Sequence, residues 1–156
     1  MELVTYKLAV GALVLLMNAG ASAWAQDPKR EQTIECNRLP APVRAAFEKA
    51  FPKAVITGCA TETEKDKTAY EVMSKEGKTG RDLLYYPDGT LIVVEETIPV
   101  GQLPAPVKKA VNAKRGTITL AEKVIRDGEV LYEFHLNQGG KPVQIVFDST
   151  GKEVKP

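Results

Sequence analysis

Leu39-Pro40-Ala41-Pro42-Val43 recurs residue for residue as Leu103-Pro104-Ala105-Pro106-Val107. In a chain of 156 residues, an identical pentapeptide repeated 64 positions later marks a duplicated supersecondary unit whose copies share one core. The segments after the two copies correspond as well. Ile56-Thr57 matches Ile118-Thr119, and Tyr70-Glu71-Val72 matches Tyr132-Glu133-Phe134. Tyr86-Pro87-Asp88-Gly89 matches the stretch Phe147-Asp148-Ser149-Thr150-Gly151. The chain therefore divides into a first repeat over 38–98 and a second over 99–156, which together form one domain.

Each repeat starts as a helix, because proline in the first helical turn supplies a suitable φ and forfeits no needed donor. After the first LPAPV, Val43, Phe47 and Phe51 recur at i, i+4, i+8 with Ala46 and Ala50 beside them, and Pro52 ends the stripe. After the second, Val107, Ala110 and Val111 make a shorter stripe that leaves at Gly116. Strands come next. Val130, Tyr132, Phe134 and Leu136 alternate with Leu131, Glu133, His135 and Asn137, and Val143, Ile145 and Phe147 repeat the period of two. Asp127-Gly128 between two such runs is a hairpin signal, and Glu76–Gly80, Pro87-Asp88-Gly89 and Asn137–Gly140 are further turns.

Ahead of the repeats, Leu8–Met17 is an unbroken apolar run behind Lys7. Ten residues do not span a hydrocarbon layer of roughly 30 Å, but they suit the apolar region of a secretory signal. Ala23-Trp24-Ala25 supplies the small-residue cleavage site, so residues 1–25 read as a signal peptide and 26–37 as a polar leader. No membrane anchor is expected after cleavage, and the protein belongs in the periplasm or outside the cell. Cys36 and Cys59 are an even pair in an oxidising compartment and most simply form a disulfide; two separate buried thiols are the alternative.

These elements resemble the PepSY-like, or beta-lactamase-inhibitor-like, exported proteins. The export signal, the L-P-x-x-V helix start, the Tyr-x-Val/Phe strand and the closing hairpins YPDGT and FDSTGK carry the resemblance. It implies an α+β fold of tandem α-β-β-β(β) repeats, with two helices packed on one face of a curved antiparallel sheet and the other face open. It also implies no catalytic residues and a role in binding or inhibiting proteins.

The residues themselves agree. With 21 Lys+Arg against 20 Asp+Glu, the net charge of +1 lacks the basic excess of a nucleic-acid binder. Ser74 and Ser149 are outside any G-x-S-x-G context, and His135 has no nucleophile beside it in sequence. Gly77-Lys78-Thr79 lacks the glycine that a phosphate loop needs five positions earlier. Cys36, Cys59 and His135 are scattered, and Glu62, Glu64 and Asp66 read as the charged guard of a solvated strand edge, so neither metal nor cofactor is expected.

What remains is a surface. If Tyr132, Phe134, Tyr70 and Val72 face the helices, with Leu84 and Tyr86 matching Ile145 and Phe147, the opposite face carries Glu71, Met73, Leu83, Tyr85, Leu131, Glu133, His135 and Val146. That set is apolar for a solvent face and carries Tyr85 as a candidate anchor. It either docks a protein or peptide, with enzyme inhibition as one form, or is covered by loops, the leader or a second copy. A pocket for a small apolar ligand, in an envelope-stress role, is the alternative function.

Overall fold

The computed structural model describes residues 31–154. The apolar run Leu8–Met17, the Ala23-Trp24-Ala25 site and the first part of the leader lie outside the described residues.

Both LPAPV segments start helices. Pro40 and Pro104 occupy the cap positions in extended backbone, and Pro42 and Pro106 stand in the first turns of α1 (Ala41–Ala50) and α2 (Ala105–Asn112). A missing N–H breaks no intrahelical bond there. The i, i+4 pairs Val43/Phe47 and Val107/Val111 are buried. The lost aromatics of α2 are replaced from below. In the first repeat the rings of Phe47 and Phe51 of the helical segment meet tilted by 32° at 5.8 Å, whereas in the second Phe134 and Phe147 of the sheet meet edge to face at 5.8 Å. Volume moves from helix to sheet while each core stays filled.

The strands are β1 (Gln32–Thr33), β2 (Val55–Glu64), β3 (Lys67–Glu76), β4 (Thr79–Tyr85), β5 (Leu91–Thr97), β6 (Thr117–Arg126), β7 (Glu129–Gln138), β8 (Lys141–Asp148) and β9 (Glu153–Val154). They form one nine-stranded sheet in chain order, antiparallel throughout. The pairing of β5 with β6 joins the two repeats into one continuous sheet. Asp127-Gly128 is the tight turn expected, with φ of 51° and 80°. Cys36 and Cys59 are bridged, with Cα atoms 5.3 Å apart, and tie the turn before α1 to β2. Arg44 of α1 donates to the Cys36 carbonyl at 2.6 Å, so helix, leader and strand meet at one point.

Two cores lie beneath the helices. Leu39, Val43, Phe47, Cys59, Val72, Leu83, Tyr85 and Val94 fill the first; Leu103, Val107, Val111, Tyr132, Phe134, Ile145 and Phe147 are among those filling the second. The first core corrects the expected register. Leu83 and Tyr85 are 0% and 2% exposed and face α1, not the helix-free side, whereas Leu84 and Tyr86 point away from it. Tyr70 pairs with Tyr85 and Val72 with Leu83, just as Tyr132 pairs with Phe147 and Phe134 with Ile145. The turns show the same offset: Tyr86 N–H donates to Thr90 O as Asp148 N–H donates to Lys152 O. Tyr85, not Tyr86, is therefore the counterpart of Phe147. The run Leu83-Leu84-Tyr85-Tyr86 is apolar at every position, so alternation cannot set its phase, and a slip of one residue exchanges the faces.

Candidate functional site

The sheet face opposite α1 and α2, free of helix among the described residues, is concave. Arg126 at the end of β6 donates to Glu64 at the end of β2 at 3.0 Å across this face. Four strand spacings in a flat sheet would separate their backbones by roughly 19 Å, more than the two side chains can bridge, so the sheet bows toward them. Glu64 is thus part of an internal ion pair and Glu62 is buried, which corrects the reading of that segment as a solvated strand edge.

Curvature also explains what became of the expected apolar patch. Leu131 and Val146 do lie on the helix-free side, but they are buried in a small cluster with Ala69, Leu84, Ile92, Val93 and Val124. Glu71 is buried as well, while Met73, Glu133 and His135 are half-buried. Met73 lies over Gly58, whose missing side chain leaves the space that the Met73 Cε occupies. Of the predicted face, Glu71, Met73, Leu131, Glu133, His135 and Val146 share the concave side; Leu83 and Tyr85 do not.

Beside that apolar cluster the face carries a row of acidic residues. Asp82 pairs directly with Glu95 across β4 and β5, and Glu122 with Glu133 across β6 and β7. Burial is the first cause that pushes Glu71 up to about 9, Glu95 to about 8, and Glu62, Asp82 and Glu122 to about 7. Neighbouring carboxylates add to every one of these shifts. The Asp82 Oδ2 atom is buried with no hydrogen-bond partner among the described residues. At one end of the face His135 Nε2 lies 2.9 Å from Glu133 Oε1, which also accepts from Gln144 Nε2 at 2.6 Å. The Glu133 contact raises the imidazole's pKa.

Sequence reading missed Asp82, Glu95 and Glu122. Each falls two residues from a position whose face is settled only by the fold: Asp82 from Leu84, Glu95 from Val93, Glu122 from Val124. A charged residue inside an apolar strand run was the available signal, and Asp82 before Leu83-Leu84 is the clearest case.

The family model described as "Putative beta-lactamase-inhibitor-like, PepSY-like" matches residues 18–93 and 92–155. No curated protein matches the chain in sequence. Among solved structures, the chain is similar to one from Bacteroides eggerthii described as "putative periplasmic", at 19% identity and a TM-score of 0.63, covering 74% of this chain and 85% of that one. A DUF2874 family protein from Bacteroides uniformis aligns at 18% identity and 0.62, over 74% and 86%. A BLIP-like protein from Bacteroides fragilis aligns at 16% identity and 0.57, over 72% and 81%. At these identities the likeness is one of fold.

Proposed function

Because the chain belongs to the PepSY-like, beta-lactamase-inhibitor-like family, we propose that it is an exported, non-catalytic binding module whose concave face docks a protein or peptide segment bearing basic side chains. The observation that carries this reading is the row of buried and half-buried carboxylates Glu71, Asp82, Glu95 and Glu122 on a face that no helix among the described residues covers. Buried like charges oppose folding, and a stretch kept in that state suits a surface whose opposite charge comes from a partner. Inhibition of an enzyme is one form such docking takes. The apolar-ligand alternative is weaker, since Leu131 and Val146 already pack against the protein's own side chains.

Export rests on the Leu8–Met17 run and the Ala23-Trp24-Ala25 site. The description of the Bacteroides eggerthii relative agrees with it, and among the described residues no helix is long and apolar enough to cross a membrane. Cleavage near Ala25 gives an extracytoplasmic form whose intact mass begins at Gln26.

Affinity capture from the exported fraction, repeated with variants, tests the docking face. Glu95→Gln and Met73→Ala on the concave side should weaken capture, and rising salt should weaken it too. Glu48→Gln on the solvent side of α1 should leave it unchanged. Equal loss from all three variants, or from none, would remove the face from consideration.

A further inference from the structure

One corner of the concave face carries a donor set of its own. Glu122, Glu133 and His135 each present one ligand atom, and the three atoms lie within 4.8 Å of one another. Ligands around one tetrahedral zinc ion stand roughly 3.3 Å apart, given bond lengths near 2.0–2.2 Å. Small side-chain rotations would therefore close this set on a single ion. Gln144 Nε2 donates to Glu133 Oε1 at 2.6 Å and so fixes that carboxylate, as outer hydrogen bonds fix metal-binding carboxylates. Access is graded: Glu122 is 3% exposed, whereas the Glu133 and His135 side chains are 18% and 27% exposed, so an ion can enter and keep water on its open side.

The cross-strand register adds to this geometry. On the same face two strands away, Asp82 is 8% exposed and its Oδ2 atom has no partner among the described residues. Two glutamates directly opposed on neighbouring strands repel, and a divalent cation would relieve that repulsion.

We propose that Glu122, Glu133 and His135 form a binding site for a divalent transition-metal cation of the zinc class. The donor set selects the class. One imidazole nitrogen with two carboxylate oxygens suits zinc, cobalt or manganese, whereas calcium and magnesium are held by oxygen alone. On binding, the ion replaces the contact between His135 Nε2 and Glu133 Oε1, and the ring remains neutral with its proton on Nδ1. The site shares Glu122 with the docking face, but it needs no partner protein, so zinc binding by the isolated protein tests it separately from docking.

His135 is the only histidine of the chain, so its ring-proton resonances report this site without ambiguity in protein purified without a histidine tag. Chelator-treated protein titrated with zinc should show one-site binding by calorimetry, with the His135 resonances shifting in step. Cobalt should move or broaden the same signals. Zinc should bind at least 100-fold more tightly than calcium, and His135→Ala and Glu122→Gln should each weaken zinc by 10-fold or more. Unmoved His135 resonances at millimolar zinc would overturn the site, as would full affinity in His135→Ala or calcium binding as tight as zinc. If Glu122→Gln fails to fold, the resonances of the unaltered protein decide.

Discussion

Gly89 rests against the carbonyl of Pro42: at a φ of +86°, a Cβ there would stand 2.7 Å from that oxygen. Gly151 repeats the arrangement against Pro106, at a φ of +82° and 2.6 Å. The closing hairpin of each repeat is thereby seated on the first turn of its own helix. The second proline of LPAPV and the glycine of the hairpin are two halves of one contact, far apart in sequence.

Gly89→Ala should destabilise the protein by about 2–4 kcal/mol, combining a disfavoured φ with a clash against backbone. Gly77→Ala is the control. It shares a positive φ of +61° but meets nothing within 4 Å, so about 1 kcal/mol is expected. Denaturant unfolding of both variants measures the difference, and equal losses would show that the Pro42 contact contributes nothing.

Tyr85 is a core residue with an unsatisfied hydroxyl. Its OH is buried without a hydrogen-bond partner among the described residues, and burial pushes its pKa up to about 12. Tyr85→Phe should therefore stabilise the protein by about 1 kcal/mol, while Tyr85→Ala should cost about 3–5 kcal/mol. Thermal unfolding checks both, and a destabilised Tyr85→Phe would reveal a partner for the hydroxyl.

Reduction should lower stability markedly. The Cys36–Cys59 bridge spans 23 positions, which the chain-entropy treatment values at roughly 3–4 kcal/mol. Under denaturing, non-reducing conditions no free thiol should label. Adding a reductant should lower the melting temperature by roughly 10 °C or more.

Acid should favour the fold over a wide range. Glu71 rises from 4.5 to about 9, chiefly through burial and then through Asp82. A group with a raised folded pKa contributes fully below its unfolded value and loses that contribution as pH climbs through the folded one. Glu62 and Asp82 act with the same sign up to about pH 7. Stability should fall between about pH 5 and pH 9, and Glu71→Gln should raise the melting temperature at about pH 9 by roughly 5 °C or more, with near equality at about pH 5. A profile that stays flat or rises to pH 9 counts against this assignment.

The repeat, the helix starts, the hairpin at Asp127-Gly128 and the Cys36–Cys59 pair were all readable because each depends on local chemistry or simple counting. The phase of β4 was not. Leu83-Leu84-Tyr85-Tyr86 is apolar on both sides because both faces of this sheet bury something, α1 above and the Leu84–Val93–Val124 cluster below. The acidic row stayed hidden for a related reason. Asp82, Glu95, Glu122 and Glu133 sit on four different strands and meet only through cross-strand registers, which the sequence does not print.

Strand order that equals chain order also dictates how this molecule can assemble itself. Every pairing among the described strands is between consecutive ones, and most of the connections are short turns, so little loop-closure entropy opposes most additions. Hairpins of this kind form in microseconds, and each completed one offers its outer edge as the template for the next strand to arrive. The sheet can therefore grow by zippering along the chain. A longer closure joins the two repeats: the segment from Ile98 to Gly116, which carries α2, must fold back before β6 can reach β5. Until then β5 is a bare edge, and that interval is when an incomplete chain is most exposed to pairing with another molecule.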